Sequence, residues 1–224
     1  MAKSAQKIHF IAIGGSVMHN LAIALHKNGD VISGSDDEIF DPSRSRLQSY
    51  GLLPEKEGWD KANIKDDLDA VIVGMHARED NPELLEAQNK GIKVYSFPEY
   101  IYEHAEDKQR VVIAGSHGKT SITSIIMHVL KYFDRKFDYA VGAHIKGFDT
   151  MVRLSDAPLI IIEGDEYLTS PLDKTPKFLK YHHHIGLISG IAWDHINVFP
   201  DEDEYTKQFE IFADATPKGG SLAY

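Results

Sequence analysis

The sequence contains no cysteine, which excludes disulfides and thiolate metal sites and leaves the redox compartment open. It has no basic cluster either. With 24 Lys and Arg against 34 Asp and Glu, the net charge is −10. That argues against nucleic acid as the main partner, because backbone phosphates demand clustered cations. A small anionic ligand needs only a few local donors and stays open. No apolar run approaches the roughly 20 residues of a membrane span. The apolar stretch in "MAKSAQKIHFIAIGG" is short and runs into a glycine turn, so it reads as a first strand rather than a signal peptide, with the cytoplasm as the default location. What remains is an ordinary soluble composition, 42% apolar and 26% charged, over 224 residues, enough for two domains.

Strand-like apolar runs alternate with helix-like segments. "IHFIAIG" (8–14) precedes a segment whose Val17, Met18, Leu21, Ala22 and Leu25 share one helical face, ended by Asn28-Gly29. "DVISGS", "DAVIVG" (69–74) and "IKVYS" supply three more strands. Asn81-Pro82 opens a helix, with Asn81 as N-cap and Pro82 in the first turn. This rhythm predicts a parallel α/β sheet. The polar stretch "EHAEDKQR" (103–110) marks a boundary, giving domains over 1–106 and 107–224. The second has strands at 159–163 and 185–189, a helix near 203–215 and a strand-like "GGSLAY".

The stretch "VVIAGSHGKTSITSIIM" (111–127) reads as strand, tight loop and helix. Gly115-Ser116-His117-Gly118-Lys119-Thr120-Ser121 is a shortened phosphate loop, since Ile113 stands where the longer form has its first glycine. Backbone N–H groups and a helix N-terminus face a phosphate there. Lys119 adds a mobile charge, and the Thr120 hydroxyl can ligate Mg²⁺. Further on, "LIIIEGDEY" drives an apolar strand into Glu163, Asp165 and Glu166, placing carboxylates where a second Mg²⁺ contact is needed. "LISGIAWDHINVFP" repeats the pattern with Asp194-His195. Imidazole is an unusual Mg²⁺ ligand, so spacing alone leaves His195 as a general base or a structural residue. The run His182-His183-His184 makes a poor metal site, because successive strand residues face opposite ways, and it reads as a polar surface segment.

Taken together, "AGSHGKTSIT", "IIEGDEY" and "DHINVFP" resemble the ATP-dependent Mur ligases of bacterial cell-wall synthesis, and "IHFIAIGGSVMHNLAIALHKNGDVISGSD" is similar to that family's UDP-binding domain. The resemblance covers essentially the whole chain. It implies a Rossmann-like parallel-sheet N-terminal domain followed by part of a P-loop ATPase α/β domain. It implies an ATP-dependent ligase that joins a peptide to UDP-N-acetylmuramate through an acyl phosphate, in peptidoglycan recycling. The Glu-x-Asp-Glu-Tyr form favours members that add L-alanyl-γ-D-glutamyl-meso-diaminopimelate over members that add L-alanine. Under the resemblance Lys119 holds the β- and γ-phosphates, and Thr120, Glu163 and His195 hold Mg²⁺. Two departures stand out. The Asn and Glu that often precede the metal histidine are replaced by Gly190 and Ala192. Lys207 and Phe209 compete for the place of a lysine that some relatives carbamylate.

In the N-terminal half the dinucleotide fingerprint G-x-G-x-x-G is incomplete, because His19 stands at its third glycine, although Asp36 follows Gly15 by 21 residues as a ribose-binding acid would. The resemblance assigns Gly14, Gly15 and Ser16 to the diphosphate turn, Ser35 and Asp36 to uracil and ribose, and His76 to the sugar phosphate. Asn81 is better explained as an N-cap. Two other classes stay open: a non-catalytic UDP-sugar-binding module, against which Lys119 and Glu163 speak, and an NAD-dependent oxidoreductase. The family's amine-selecting third domain has no counterpart in these 224 residues, and only 224 − 106 = 118 follow the boundary. The expectation is therefore a piece of a longer ligase, inactive alone.

Overall fold

A computed structural model describes residues 4–194, 196 and 198–224. The chain divides into two compact units, one comprising residues up to Tyr100 together with 170–173, the other 101–169 and 174–224. The units part inside a helix, six residues before the expected boundary of 106/107. Among the described residues no helix is long and apolar enough to cross a membrane.

The first unit holds β1 (Lys7–Ile11), α1 (Ser16–Lys27), β2 (Val31–Ser35), α2 (Ser43–Ser49), β3 (Ala70–Val73), α3 (Pro82–Asn89), β4 (Val94–Ser96) and most of α4 (Phe97–Glu103). Its four strands are parallel in the order β2-β1-β3-β4. All four residues of β3 are buried, as expected of a parallel strand covered on both faces. The helix signals hold. α1 stops at Asn28, and Gly29 follows with φ of 97°. The Asn81 side chain accepts hydrogen bonds from the Glu83 and Leu84 amides at 2.9 and 3.1 Å. Helices α2 and α4 are not foreseen, because "SRSRLQS" buries only Ser43 and Leu47 and α4 is seven residues long.

The second unit holds β5 (Gln109–Ala114), α5 (Lys119–Tyr132), β6 (Asp138–Ala140), β7 (Val152–Arg153), β8 (Leu159–Glu163), β9 (Ile185–Ile188), α6 (Glu202–Asp214) and β10 (Ser221–Ala223). The strand order is β10-β9-β5-β8-β6-β7, parallel except for β6 against β7. Strands β6 and β7, of three and two residues, are too short to carry a period-2 signal.

The three-histidine run is a polar surface segment only in part, since His182 is exposed but His183 is buried. His182 has a φ of 45°, which breaks the strand alternation. His183 then turns inward, is 2% exposed, packs its ring 4.0 Å from that of Phe212 and meets the Thr216 hydroxyl at 2.9 Å. His184 accepts the Arg110 amide at 3.1 Å.

Burial, aided by the neighbouring histidines and Arg110, pushes His183 down to about 4 from 6.5. The folded chain therefore binds fewer protons here between pH 6.5 and 4. The stability contributed by the neutral ring is complete above pH 6.5 and is lost as the pH falls through 4. His183→Phe keeps the ring contact and removes the titration. Between pH 7 and 4.5 the melting temperature of the parent should fall about 5 °C further than that of the variant, or more. Equal falls by scanning calorimetry would count against this assignment.

Candidate phosphate and metal site

In a parallel sheet, ligands bind at the carboxyl ends of strands, where neighbouring strands send their connections to opposite sides. Both units have such a point. From β1 the chain passes through α1 to β2 on one flank, and from β3 through α3 to β4 on the other. From β5 it passes through α5 toward β6 and β8, and from β9 through α6 to β10 on the opposite flank. The glycine turns identified in the sequence lie just after β1 and β5.

In the second unit, β5 runs between β8 and β9, with Ile113 opposite Glu163 and Ala114 opposite Ile188. The phosphate loop leaves β5 there and enters α5. Gly115 and Gly118 have φ of 123° and 78°, which only glycine adopts freely. The Lys119 ammonium donates to the Gly115 carbonyl at 2.6 Å and to Glu166 Oε2 at 2.7 Å. The Thr120 hydroxyl donates to Glu163 Oε1 at 2.7 Å, while the Gly142 amide donates to Glu163 Oε2 at 3.0 Å. Lys119, Thr120 and Glu163, which the sequence places 43 and 44 residues apart, thus meet at two adjacent strand ends.

Sequence reasoning named Glu166 without assigning it a role. It is 1% exposed and paired with the loop lysine. The half-buried Asp165 bonds Lys177 at 2.6 Å. Burial pushes the Asp165 carboxyl up, but Lys177 outweighs it and holds the group below the usual carboxylate range.

The other predicted loop residues divide by exposure. His117 and Ser121 are exposed. Ser116 is 7% exposed, and both of its hydrogen-bonding groups are engaged internally. Its amide donates to the Gly190 carbonyl at 3.0 Å, and its hydroxyl lies 2.7 Å from the Tyr205 hydroxyl and accepts the Ala192 amide at 2.8 Å. His195 lies outside the described residues. Among the described residues, no group of three or more His, Asp or Glu is placed to hold a metal. Lys207 is exposed and paired with Glu210 at 2.8 Å, whereas Phe209 is buried.

In the first unit the Gly14 amide donates to Asp36 Oδ2 at 2.7 Å, tying the turn after β1 to the end of β2. A Cβ at Gly14 would lie 2.9 Å from that oxygen, so the approach depends on glycine. Burial pushes Asp36 up to about 6 despite this bond. Gly15 is partly exposed, Ser16 is exposed, and His76 is exposed in the turn after β3. Ser35 is not presented outward. Its buried hydroxyl donates to Glu83, which also accepts the Asp60 amide at 2.9 Å and the Asn63 amide group at 2.8 Å.

Residues 7–109 match the Mur ligase family, catalytic domain, a span that covers most of the first unit and stops before the phosphate loop. A UDP-N-acetylmuramate–L-alanyl-γ-D-glutamyl-meso-2,6-diaminoheptandioate ligase of Haemophilus influenzae is 30% identical over 216 residues, covering 95% of this chain and 47% of that protein. A UDP-N-acetylmuramate–L-alanine ligase of Lactobacillus acidophilus is 33% identical over 219 residues, covering 97% and 47%. The crystal structure of the UDP-N-acetylmuramate:L-alanyl-γ-D-glutamyl-meso-diaminopimelate ligase from Neisseria meningitides superposes with a TM-score of 0.87 at 27% identity, over 98% of this chain and 71% of that one. The chain belongs to the Mur ligase family. It spans about half the length of the two curated relatives. The Mur ligase likeness extends through both units, so the phosphate loop that the family match leaves out is still aligned in the longer comparisons.

The loop geometry itself is testable. A Cβ at Gly115 would lie 2.3 Å from Ser189 Oγ and 2.8 Å from the Ser189 amide nitrogen, whereas one at Gly118 would meet nothing within 4 Å. Gly118→Ala should cost only the backbone strain, about 1 kcal/mol. Gly115→Ala adds a clash with main chain and should cost at least about 3 kcal/mol. Equal midpoints for the two variants in urea unfolding would contradict the loop path described.

Proposed function

We propose that this protein is an ATP-dependent Mur ligase that forms an amide on the muramate carboxyl of UDP-N-acetylmuramate. The observation that carries the reading is the meeting of Lys119, Thr120 and Glu163 at the ends of β5 and β8. A loop kept only as structure has no need of a hydroxyl and a carboxylate turned to one another beside its lysine.

The donor set fits Mg²⁺. Thr120 and Glu163 offer hard oxygens, as this ion prefers. His195 is the third proposed ligand. The ion, when bound, neutralises charge that builds on the transferring phosphoryl oxygens. The chain's own groups then have separate tasks. Lys119 holds the β- and γ-phosphates of ATP. The amides of Gly118 and Lys119, together with the N-terminus of α5, face the phosphates, with His117 and Ser121 flanking them. Gly115 lets the loop turn, and Ser116 fixes it from within. The muramate carboxylate attacks the γ-phosphorus, ADP leaves, and an amine displaces phosphate from the acyl phosphate.

The UDP-sugar is assigned to the first unit, with the diphosphate on the Gly14-Gly15-Ser16 turn, the ribose at Asp36 and the sugar phosphate near His76. Ser35 acts there through Glu83, not by direct contact. The amine is assigned as L-alanyl-γ-D-glutamyl-meso-diaminopimelate, in keeping with the Neisseria structure and the Glu-x-Asp-Glu-Tyr sequence. The L-alanine reaction is the second reading, because a relative of that activity matches at 33%. A nucleotide-sugar substrate places the reaction in the cytoplasm.

Calorimetry should show binding of UDP-N-acetylmuramate but not of NAD. Lys119→Ala should leave that binding unchanged and weaken ATP binding at least about tenfold, or roughly 1.4 kcal/mol. Where phosphate is released with UDP-N-acetylmuramate, ATP and Mg²⁺, the amine that supports its release would identify the reaction. Absence of heat with any UDP-linked ligand, or ATP binding indifferent to Lys119, would sink the proposal.

A further inference from the structure

Tyr205 comes from α6, 89 residues beyond the phosphate loop, yet its hydroxyl lies 2.7 Å from that of Ser116. Its ring is fully buried, edge-on to Phe199 and Phe209 at 5.4 and 5.2 Å, so the phenol oxygen has one fixed direction. Burial pushes the phenol up to about 12, which keeps its proton in place at neutral pH. The Ser116 hydroxyl accepts the Ala192 amide at 2.8 Å, and the Ser116 amide donates to Gly190 at 3.0 Å. The Ser189 amide continues this seam to the Ala114 carbonyl at 3.0 Å. One buried hydroxyl pair therefore joins three elements: the loop after β5, the segment after β9 that leads toward His195, and α6.

We propose that Tyr205 is a positioning residue for the phosphate loop, holding residues 115–120 in register with 190–192 through the Ser116 hydroxyl. Its consequence for ATP rests on the function proposed above, but the geometry does not. A loop whose main-chain donors must converge on an anion gains from being fixed before the anion arrives. Tyr205 fixes it through the Ser116 side chain, without using a main-chain amide of the loop.

Tyr205→Phe removes the hydroxyl and keeps the ring. Amide hydrogen exchange in the ligand-free protein should become at least about tenfold faster at 115–119 and 190–192, with β5 and the body of α6 unchanged. Ser116→Ala, which also removes the acceptor of the Ala192 amide, should exchange at least as fast, Ser116→Thr should keep parental rates, and the double variant should be no faster than Ser116→Ala alone, because the Tyr205 bond is already lost there. Loop exchange within about twofold of the parent would overturn the proposal. So would equal acceleration of β5 and α6, which would mark a general packing defect. If Tyr205→Phe does not fold, Ser116→Ala, which leaves the aromatic cluster intact, decides on the same criteria. In parallel, ATP binding should weaken about tenfold in Tyr205→Phe while UDP-N-acetylmuramate binding stays the same. A parent protein without ATP affinity would count against the proposed function, and the exchange rates would still decide the role of Tyr205.

Discussion

The strand order of the second unit is the constraint on which its chemistry depends. With β5 held between β8 and β9, three parallel strands end side by side. The strand bodies are nearly all apolar and largely buried, so polar side chains collect where the chain leaves the sheet. Residues distant in sequence are brought together there, and the buried polar ones among them are paired. Glu163 reaches Thr120 because Ile113 and Glu163 are in register, and Gly190 reaches Ser116 because Ala114 and Ile188 are. The first unit repeats the device around β1 and β3 with a different set of side chains.

The charged groups of the site satisfy one another. Glu166 is 1% exposed, and a carboxylate at that depth deprived of its cation would cost several kcal/mol. Withdrawal of Lys119 from it on binding phosphate would be expensive. The lysine need not withdraw. An ammonium has three donors, and two are engaged, by Gly115 and Glu166. Among the described residues the third is not engaged, so under the proposed function the internal bonds would aim the lysine instead of competing with the ligand. Glu163 is arranged alike. Among the described residues each of its oxygens accepts one bond, from Thr120 or Gly142, and carboxylate oxygens retain further lone pairs.

The parts of this arrangement legible in the sequence were those governed by local rules. The phosphate loop, the cap at Asn81, the stop at Asn28-Gly29 and the strand end at Glu163 all rest on short-range spacing. What stayed hidden depends on pairing across the sheet. Nothing near Ser116 announces that its hydroxyl faces inward to Tyr205, and nothing near Ser35 announces Glu83, 48 residues away. His183 misled for a related reason. Alternation along a strand predicts its direction only if the strand begins before it, and the positive φ at His182 resets the count. Short elements such as α2, β6 and β7 lack enough residues for any period to emerge.

The incomplete glycine fingerprint is the converse case, where a missing signal has a structural replacement. His19 occupies the place of the third glycine and is 2% exposed. Its bonding follows from groups that can act in one sense only. Arg46 can only donate, and its Nη2 lies 3.0 Å from Asn20 Oδ1, which fixes the Asn20 amide. Asn20 Nδ2 must then donate to His19 Nε2 at 2.9 Å, so that nitrogen carries no proton. The proton sits on Nδ1 and is donated to the Gly15 carbonyl at 2.9 Å. Burial lowers the imidazole pKa and keeps this neutral tautomer. The turn after β1 is thus held from beneath by a buried side chain, as the loop after β5 is held by Tyr205. Where a third glycine would let helix and strand pack closely, His19 fills the space and supplies a bond to the Gly15 carbonyl.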